Sequence, residues 1–476
     1  MILSLLFVFY STMEGKDWFN RMGWILAGVI CISVFLFIAK NDASSADSSY
    51  ISVLARNLAE GVGSFWYPAF SLDPLETYHQ HPPLGIGLNS VFFRIFGDSI
   101  FTERIFSIVL LFLNVIILIG IWLVAGERPN SAWMPILLWI SIPSVAETAM
   151  QNPLMQSSGL FASGACLFYL LAFRKRKLAI LIPATVLLAA AFFTWGYPMF
   201  FILLFPFWLF LFSDRKSFRF MIAYMVLPIL IFAGTLILVF LMQSSAMDSI
   251  LNKYLTIVAL DRLYEEPNVV SRMWILFEVL QQTIPLWLIS MFLIVAGWRK
   301  GVHLSSILGR ALPFILTGLS FVGPITLQWH QNIIESFPVF FFLALGLAFF
   351  CKSVVESAIF LTRRKAFSLV SLAAFLILVF WFINLQPVDQ EAINQKNFAL
   401  KIKANVGVNL SMGAPKEICE DKGLRAQLSR WARVKLSESD SSVTYFVSRD
   451  TVPEGFSQLF YSNRWNLSNR HGGIKN

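Results

Sequence analysis

Long apolar runs, broken by short charged or polar stretches, recur along most of this chain. They are about 15–23 residues long, the length needed to cross a hydrocarbon core of roughly 30 Å. The runs predict transmembrane helices at about 22–39, 105–125, 133–147, 157–173, 178–194, 197–212, 220–242, 283–298, 311–327, 337–351 and 366–385. The third is short, as a tilted or partly re-entrant segment would be. The chain is 57% hydrophobic and 14% charged, whereas a soluble domain is about half apolar and a quarter charged. The expected fold class is therefore an α-helical multi-pass membrane protein of about 11 transmembrane helices. The 47 phenylalanines and 15 tryptophans suit lipid-facing surfaces and interfacial belts.

Charge between the runs sets an orientation. One set of loops holds Lys16 and Arg21, Arg128, Arg174 to Lys177, Arg215-Lys216, Arg299-Lys300, Arg310, Lys352 and Arg363 to Lys365. The alternate short loops near 148–156, 195–196 and 328–336 contain no Lys or Arg. Positive loops stay cytoplasmic, so the pattern predicts N-terminus in, C-terminus out and an odd number of spans. The expected organisation is a cytoplasmic N-terminus (1–21), a transmembrane domain (22–385) and an extracytoplasmic C-terminal domain (386–476). Within that last segment, a helix-like stretch from Leu424 to Leu436 and strand-like runs at Val443–Val447 and Leu459–Tyr461 predict a small α/β unit. The location implied is the cell (inner) membrane.

The formal net charge of +9 would raise the question of nucleic acid in a soluble protein. Here the basic residues sit in orienting loops, with no zinc-knuckle spacing or aromatic-basic ribbon, so no nucleic-acid partner is expected. Three of the four cysteines lie in apolar runs and Cys419 stands alone in the tail, which gives neither a disulfide framework nor a metal motif. The first eleven residues are too short to span and lack the flanks of a signal peptide, and Met13 and Met22 are alternative starts. No inverted internal repeat of the transporter kind is visible.

Chemistry is expected in the outer loop 40–104. Asp42 and Asp47 lie just beyond the first span. Residues 49–60 place Tyr50, Val53, Leu54 and Leu58 at helical spacing, and 84–96 repeat the trait, as interfacial helices would. Asp47 opens the first of these helices, where it is a candidate N-cap as well as a candidate base. His79, His81 and the Pro82-Pro83 pair share the loop. A carboxylate held near the bilayer can act as general base on an acceptor hydroxyl or amine. A divalent cation is compatible with acids and histidines in one loop, but no tight ligand spacing requires one.

The loop resembles that of the GT-C glycosyltransferases that use polyprenyl-phosphate sugars, among them the protein O-mannosyltransferases and lipid A aminoarabinose transferases. The residues that carry the likeness are Asp47, Tyr50, Ala55-Arg56, Gly61, Tyr78, His81-Pro82-Pro83-Leu84, Arg94-Ile95-Phe96-Gly97 and Arg104. Weaker likenesses follow at Gln151 to Leu154, Phe193 to Gly196, Gln328 to His330 and Ser336 to Pro338. Three positions depart from the pattern. Asp47 matches the second of two acids and Ala46 the first, Asn152 stands where many members have Asp, and Trp195 where many have Lys.

The resemblance implies sugar transfer from a polyprenyl-phosphate donor to an extracytoplasmic acceptor, which is a glycolipid such as lipid A, another glycan or a protein. Asp47 is then the base and Asp42 its alternative. Candidates for the donor phosphate and substrate are Arg56, Tyr78, His81, Arg104, Arg262, Arg272 and His330. Arg grips phosphate oxygens bidentately, and His can donate in either protonation state. A base acting without a covalent intermediate implies inversion at the anomeric carbon. The rival readings are a lipid or glycolipid transporter or flippase and a catalytically degenerate relative. Transporters place ionisable groups near the bilayer midplane, whereas these spans are nearly free of charge.

Overall fold

The computed structural model describes residues 18–40, 45–70, 78, 80–212, 218–259, 274–284, 286–287, 291, 304–326, 333–357, 390–438, 443–449, 452–453, 455–462 and 464–470. Helix α1 (Trp18–Lys40) is the first span. It leads through Ser45 into α2 (Ala46–Ala59), and after the loop come α3 (Leu84–Phe96) and the long α4 (Ile100–Val124). The expected third span is two helices, α5 (Trp133–Ile140) and α6 (Pro143–Gln151), bent by 70°. Pro143 is the cause. It offers no amide hydrogen to continue the helix, and it holds Ile142 extended at φ −80°, ψ 119°.

Helices α7 (Pro153–Lys175) and α8 (Leu181–Trp195) follow as an antiparallel pair. The next expected span begins as a tight 3-10 stretch, Tyr197–Leu203, and relaxes into α9 (Leu204–Leu211). Then come α10 (Phe218–Met242), α11 (Leu304–Thr326) and α12 (Phe337–Ser357). Among the described residues, five helices are long and apolar enough to cross a membrane, or six if the bent pair is one span. The expected span 366–385 and most of 283–298 lie outside the described residues. Helix α12 is the axis of the packing. Phe337, Phe340, Phe341, Phe342 and Phe349 are all buried, and Trp122 and Trp139 meet its rings.

The C-terminal domain opens with α13 (Gln390–Asn405) and β1 (Ser411–Ala414), continues with α14 (Lys422–Ala432) and β2 (Lys435–Glu438), and ends with β3 (Tyr445–Arg449), β4 (Phe456–Ser462) and β5 (Trp465–Arg470). The sheet order is β2-β1-β3-β5-β4. β1 pairs in parallel with β2 and β3, while β5 pairs antiparallel with β3 and β4. Both helices bury apolar faces on the sheet, Phe398 and Ile402 from α13 and Leu424 and Leu428 from α14, against Met412, Val447, Trp465 and Leu467. The helix expected to run to Leu436 stops at Ala432 because Arg433 turns left-handed at φ 54°. Glycine is the usual residue there, so the sequence carried no stop signal.

Helix α14 sits directly on α2. The polar face of α2, expected to meet solvent or headgroups, is buried along with its apolar face: Ser48, Ser49, Ser52, Arg56 and Asn57 join Ile51, Val53, Leu54 and Leu58. Charge closes the seam. Arg430, its side chain 1% exposed, donates from Nε to Glu103 at 2.7 Å and from Nη1 to Asp98. Arg433 donates to Glu60 at 2.9 Å and reaches Asp98 at 3.4 Å. In the opposite direction, Arg56 Nη1 donates to the carbonyls of Ser429 at 3.2 Å and Arg430 at 3.0 Å. The remaining void at the seam is about 10 Å³, at most the room of one water.

Burial pulls the Arg56 guanidinium down to about 10, with Arg430 and Arg433 adding to the effect against Asp98. Burial acts to raise the Asp98 carboxyl, but Arg430, Arg56 and Arg433 outweigh it and hold it below the ordinary carboxylate range. For Arg430, burial likewise acts to lower the guanidinium, and Glu103 and Asp98 outweigh it in the upward direction.

Arg430→Met leaves the buried Glu103 carboxylate without its guanidinium and takes one of three arginines from Asp98. It should cost about 3–5 kcal/mol of docking free energy, read as faster hydrogen exchange in both α2 and α14. The depressed carboxyl of Asp98 fixes the sign of the pH effect. Its stabilisation is complete above the free carboxylate value of about 3.9 and is lost as pH falls through the lower docked value. Exchange in α2 should therefore be flat from neutral pH to about 4 and rise below it, after correction for intrinsic rates.

Candidate functional site

Helix α2 begins at a satisfied N-terminus. Ser45 is the N-cap, its hydroxyl accepting from the Ser48 amide at 3.2 Å. The capping role that Asp47 competed for is thus taken, and Asp47 lies exposed in the first turn, where its charge suits the helix dipole. Among the described residues, no hydrogen bond or ion pair engages its carboxylate. An otherwise buried helix carries one exposed carboxylate at its tip.

One turn further along the same face is Tyr50. Its ring stacks on Phe70 at 4.1 Å and meets Tyr78 at 5.5 Å. Tyr78, 6% exposed, is tilted at 6.3 Å from His81, and His81 stacks on Trp195 at 4.1 Å and 20°. The loop is thereby attached to the membrane helices by a row of rings from α2 to the end of α8. Beneath the row, Asn57 donates to the carbonyls of Ala69 and Phe70, both at 3.0 Å, and fixes the returning strand of the loop.

The end of α8 is built to close tolerance. Gly196 has φ 105°, and a side-chain carbon there would collide with the Tyr254 hydroxyl. That hydroxyl donates to the Trp195 carbonyl at 3.4 Å. Trp195, the residue standing in place of lysine, is 4% exposed. Asn152, standing in place of aspartate, caps α7 by accepting from the Met155 amide at 2.9 Å, with Pro153 in the first helical position. A helix-capping aspartate would make the same bond, so the substitution removes a charge and keeps the cap.

Arg104 lies in the first turns of α4, 3% exposed, and donates to the Met150 carbonyl at 3.3 Å near the end of α6. Glu147, one turn earlier on α6, is also 3% exposed. The structure links Tyr78 and His81 to α2 through Tyr50, one turn from Asp47, and places Arg104 at the α4–α6 junction. Arg56, expected among the phosphate ligands, faces the other way, into the seam with α14. Asp42, Arg262, Arg272 and His330 lie outside the described residues. Among the described residues, no group of three or more His, Cys, Asp or Glu is placed to hold a metal ion.

Sequence reading missed the ion cluster at the seam. Its trace was present: Asp98 and Glu103 flank the start of a span, and Arg430 and Arg433 punctuate the helix-like stretch of the tail. Only proximity turns these opposite charges into a site.

No family model and no curated sequence matches this chain. Solved structures do. The fold superposes on ArnT from Cupriavidus metallidurans bound to undecaprenyl phosphate, with a TM-score of 0.68 and 12% identity over 94% of this chain and 98% of that one. It also matches the archaeal oligosaccharyltransferase AglB from Archaeoglobus fulgidus, in complex with an inhibitory peptide and a dolichol-phosphate, with a TM-score of 0.52 and 10% identity over 91% and 70%. A third match is the arabinofuranosyltransferase AftD from Mycobacteria, with a TM-score of 0.51 and 13% identity over 97% and 40%. Identities this low carry architecture alone: this chain has the fold of these structures, and its long apolar helices are those of a membrane protein.

Proposed function

We propose that this protein is a membrane glycosyltransferase that moves a sugar from a polyprenyl-phosphate donor to an extracytoplasmic glycolipid, glycan or protein acceptor. The observation that carries the reading is the end-to-end match to a structure holding undecaprenyl phosphate, in a chain whose first loop ends a buried helix on the exposed carboxylate of Asp47. The charge alternation supports an extracytoplasmic site in the cell (inner) membrane, with N-terminus in and C-terminus out.

In this reading Asp47 is the general base. An acceptor hydroxyl or amine attacks the anomeric carbon, its proton passes to Asp47, and the carbon–oxygen bond to phosphate breaks. The electron pair leaves on the polyprenyl phosphate, which needs no proton from the protein at that step. Attack opposite the leaving group inverts the anomeric configuration. His81, Tyr78 and Arg104 supply hydrogen-bond donors for the phosphate or sugar. Asp42, Arg262, Arg272 and His330 are the further candidates. Arg56 serves the site through the seam, by holding α2 against the C-terminal domain, and this differs from the phosphate contact expected of it. Trp195 supplies a rigid face against which His81 is oriented, at the position where the resemblance leads one to expect a cation.

Asp47→Asn should leave the fold unchanged, since the residue is exposed and Ser45 makes the cap. It should lower the transfer rate by about 10²–10⁴-fold, the usual range for a general base. The measurement is complementation of a deletion strain, with mass spectrometry of envelope glycolipids and proteins. Full rescue by the variant removes Asp47 as the base, and a product retaining the donor's configuration removes the inverting step. His81→Ala should weaken undecaprenyl phosphate binding by about 10–100-fold, the loss expected for one hydrogen bond to a charged group, roughly 1.5–3 kcal/mol. Unchanged affinity in a direct binding assay would take His81 out of the phosphate site.

A further inference from the structure

A second concave surface lies on the C-terminal domain, and none of the seam residues lines it. It is a groove of about 610 Å³ between α13 and the end of β4. The α13 wall is formed by positions 397, 400, 401, 404 and 405, which share one helix face by their spacing. The other face of the same helix, with Phe398 and Ile402, fills the domain core. Lys401 Nζ donates to the Ser462 hydroxyl at 3.0 Å, tying the two walls of the groove together at its floor.

The lining has a particular chemistry. Tyr461 presents half its surface to solvent, at 50% exposure, and Leu400 is 37% exposed beside it. Asn397 and Asn405 line the same groove. A primary amide both donates and accepts hydrogen bonds, the pairing that vicinal hydroxyls require. An exposed aromatic face complements the apolar carbon–hydrogen face of a sugar ring. Among the described residues, no carboxylate lines the groove and Lys401 is the one charged residue that does, so neutral or acidic saccharides fit better than cationic ligands. The volume falls within the range of small-molecule sites, about 300–1,000 Å³, which is room for a short oligosaccharide.

An extended peptide is the competing occupant, because β4 is an edge strand. The β4–β5 register shifts between Gln458 and Phe460. Such an irregularity bends an edge and interrupts the ladder an added strand would follow. We propose that this groove is a saccharide-binding subsite that holds the glycan of the acceptor at a distance from the sugar being added. The proposal rests on the glycosyltransferase reading. Remote binding of this kind orients the reacting end of a substrate.

The test is saturation-transfer NMR on the full-length protein in nanodiscs, with a panel of lipid-free envelope oligosaccharides at millimolar concentration and a control panel of unstructured peptides. At least one oligosaccharide should bind. Tyr461→Ala and Asn397→Ala should each weaken it by tenfold or more, and Tyr461→Phe, which keeps the ring, should preserve it. Asp47→Asn should bind as the wild type does. The proposal is overturned if no oligosaccharide binds, if Tyr461→Ala leaves binding unchanged, or if only peptides bind and Tyr461→Ala abolishes that. Groove binding without any sugar transfer by the wild type would sink the transferase reading, and with it the acceptor role, and would leave only a saccharide-binding groove. Transfer without groove binding would sink the subsite alone.

Discussion

The arrangement of the extramembrane half depends on one buried arginine. Arg430 sits at the end of a short helix in the tail domain and is sealed against Glu103 and Asp98, at the entrance to a membrane helix. Taking such charges out of water costs several kcal/mol per ion, and attraction offsets this only where geometry and further hydrogen bonds are good. Here Arg430 meets two acids, stacks over Trp431 and lies near Phe93. Its own carbonyl accepts from Arg56, a third cation, which in turn lies 3.8 Å from Asp98. Hydrophobic replacements of equal shape would serve stability as well, so what the ions add is register. They admit one docking position for α14 on α2, and α2 is the helix that carries Asp47.

The membrane half solves the polar problem in the opposite way, by keeping charge out and satisfying hydroxyls locally. Thr148, Ser157, Thr185, Thr194 and Thr317 each donate to the carbonyl four residues back on their own helix, at 2.6–2.8 Å. All five are buried, and a bond made within the residue's own helix demands no partner helix. A buried acid does occur on the other side, where Glu127 accepts from Arg310 at 3.2 Å and binds Lys352. Arg310 lies within α11 and Lys352 within α12, so the two ion pairs tie both helices to the segment that follows α4.

Hydropathy made the long spans legible because a single-helix property, length of apolar run, determines them. α1, α4, α7, α8 and α10 appear close to where the runs lie. The bent pair was legible only as a span too short, since a proline at 143 permits either a kink or a break and the neighbours decide. In the tail domain α14, β3 and β4 were readable from local pattern; α13, β1, β2 and β5 were not, nor was the strand order, because β1 pairs with β2 and β3 across intervening helix. The site divides in the same manner. Asp47 and the Tyr78–His81 loop stood out as a motif. Arg56 was misread in direction because its partners are main-chain carbonyls more than 370 residues away, and backbone acceptors leave no mark in a sequence.

Trp195 shows how a departure from a family pattern can be structural in meaning. A lysine at that position would offer a mobile point charge. The tryptophan instead stacks flat on His81, and its carbonyl is held by Tyr254, with Gly196 leaving the space for that approach. The stack fixes the plane of the imidazole and joins the Tyr78–His81 loop to the end of α8, so what this position contributes to the structure is orientation of the loop.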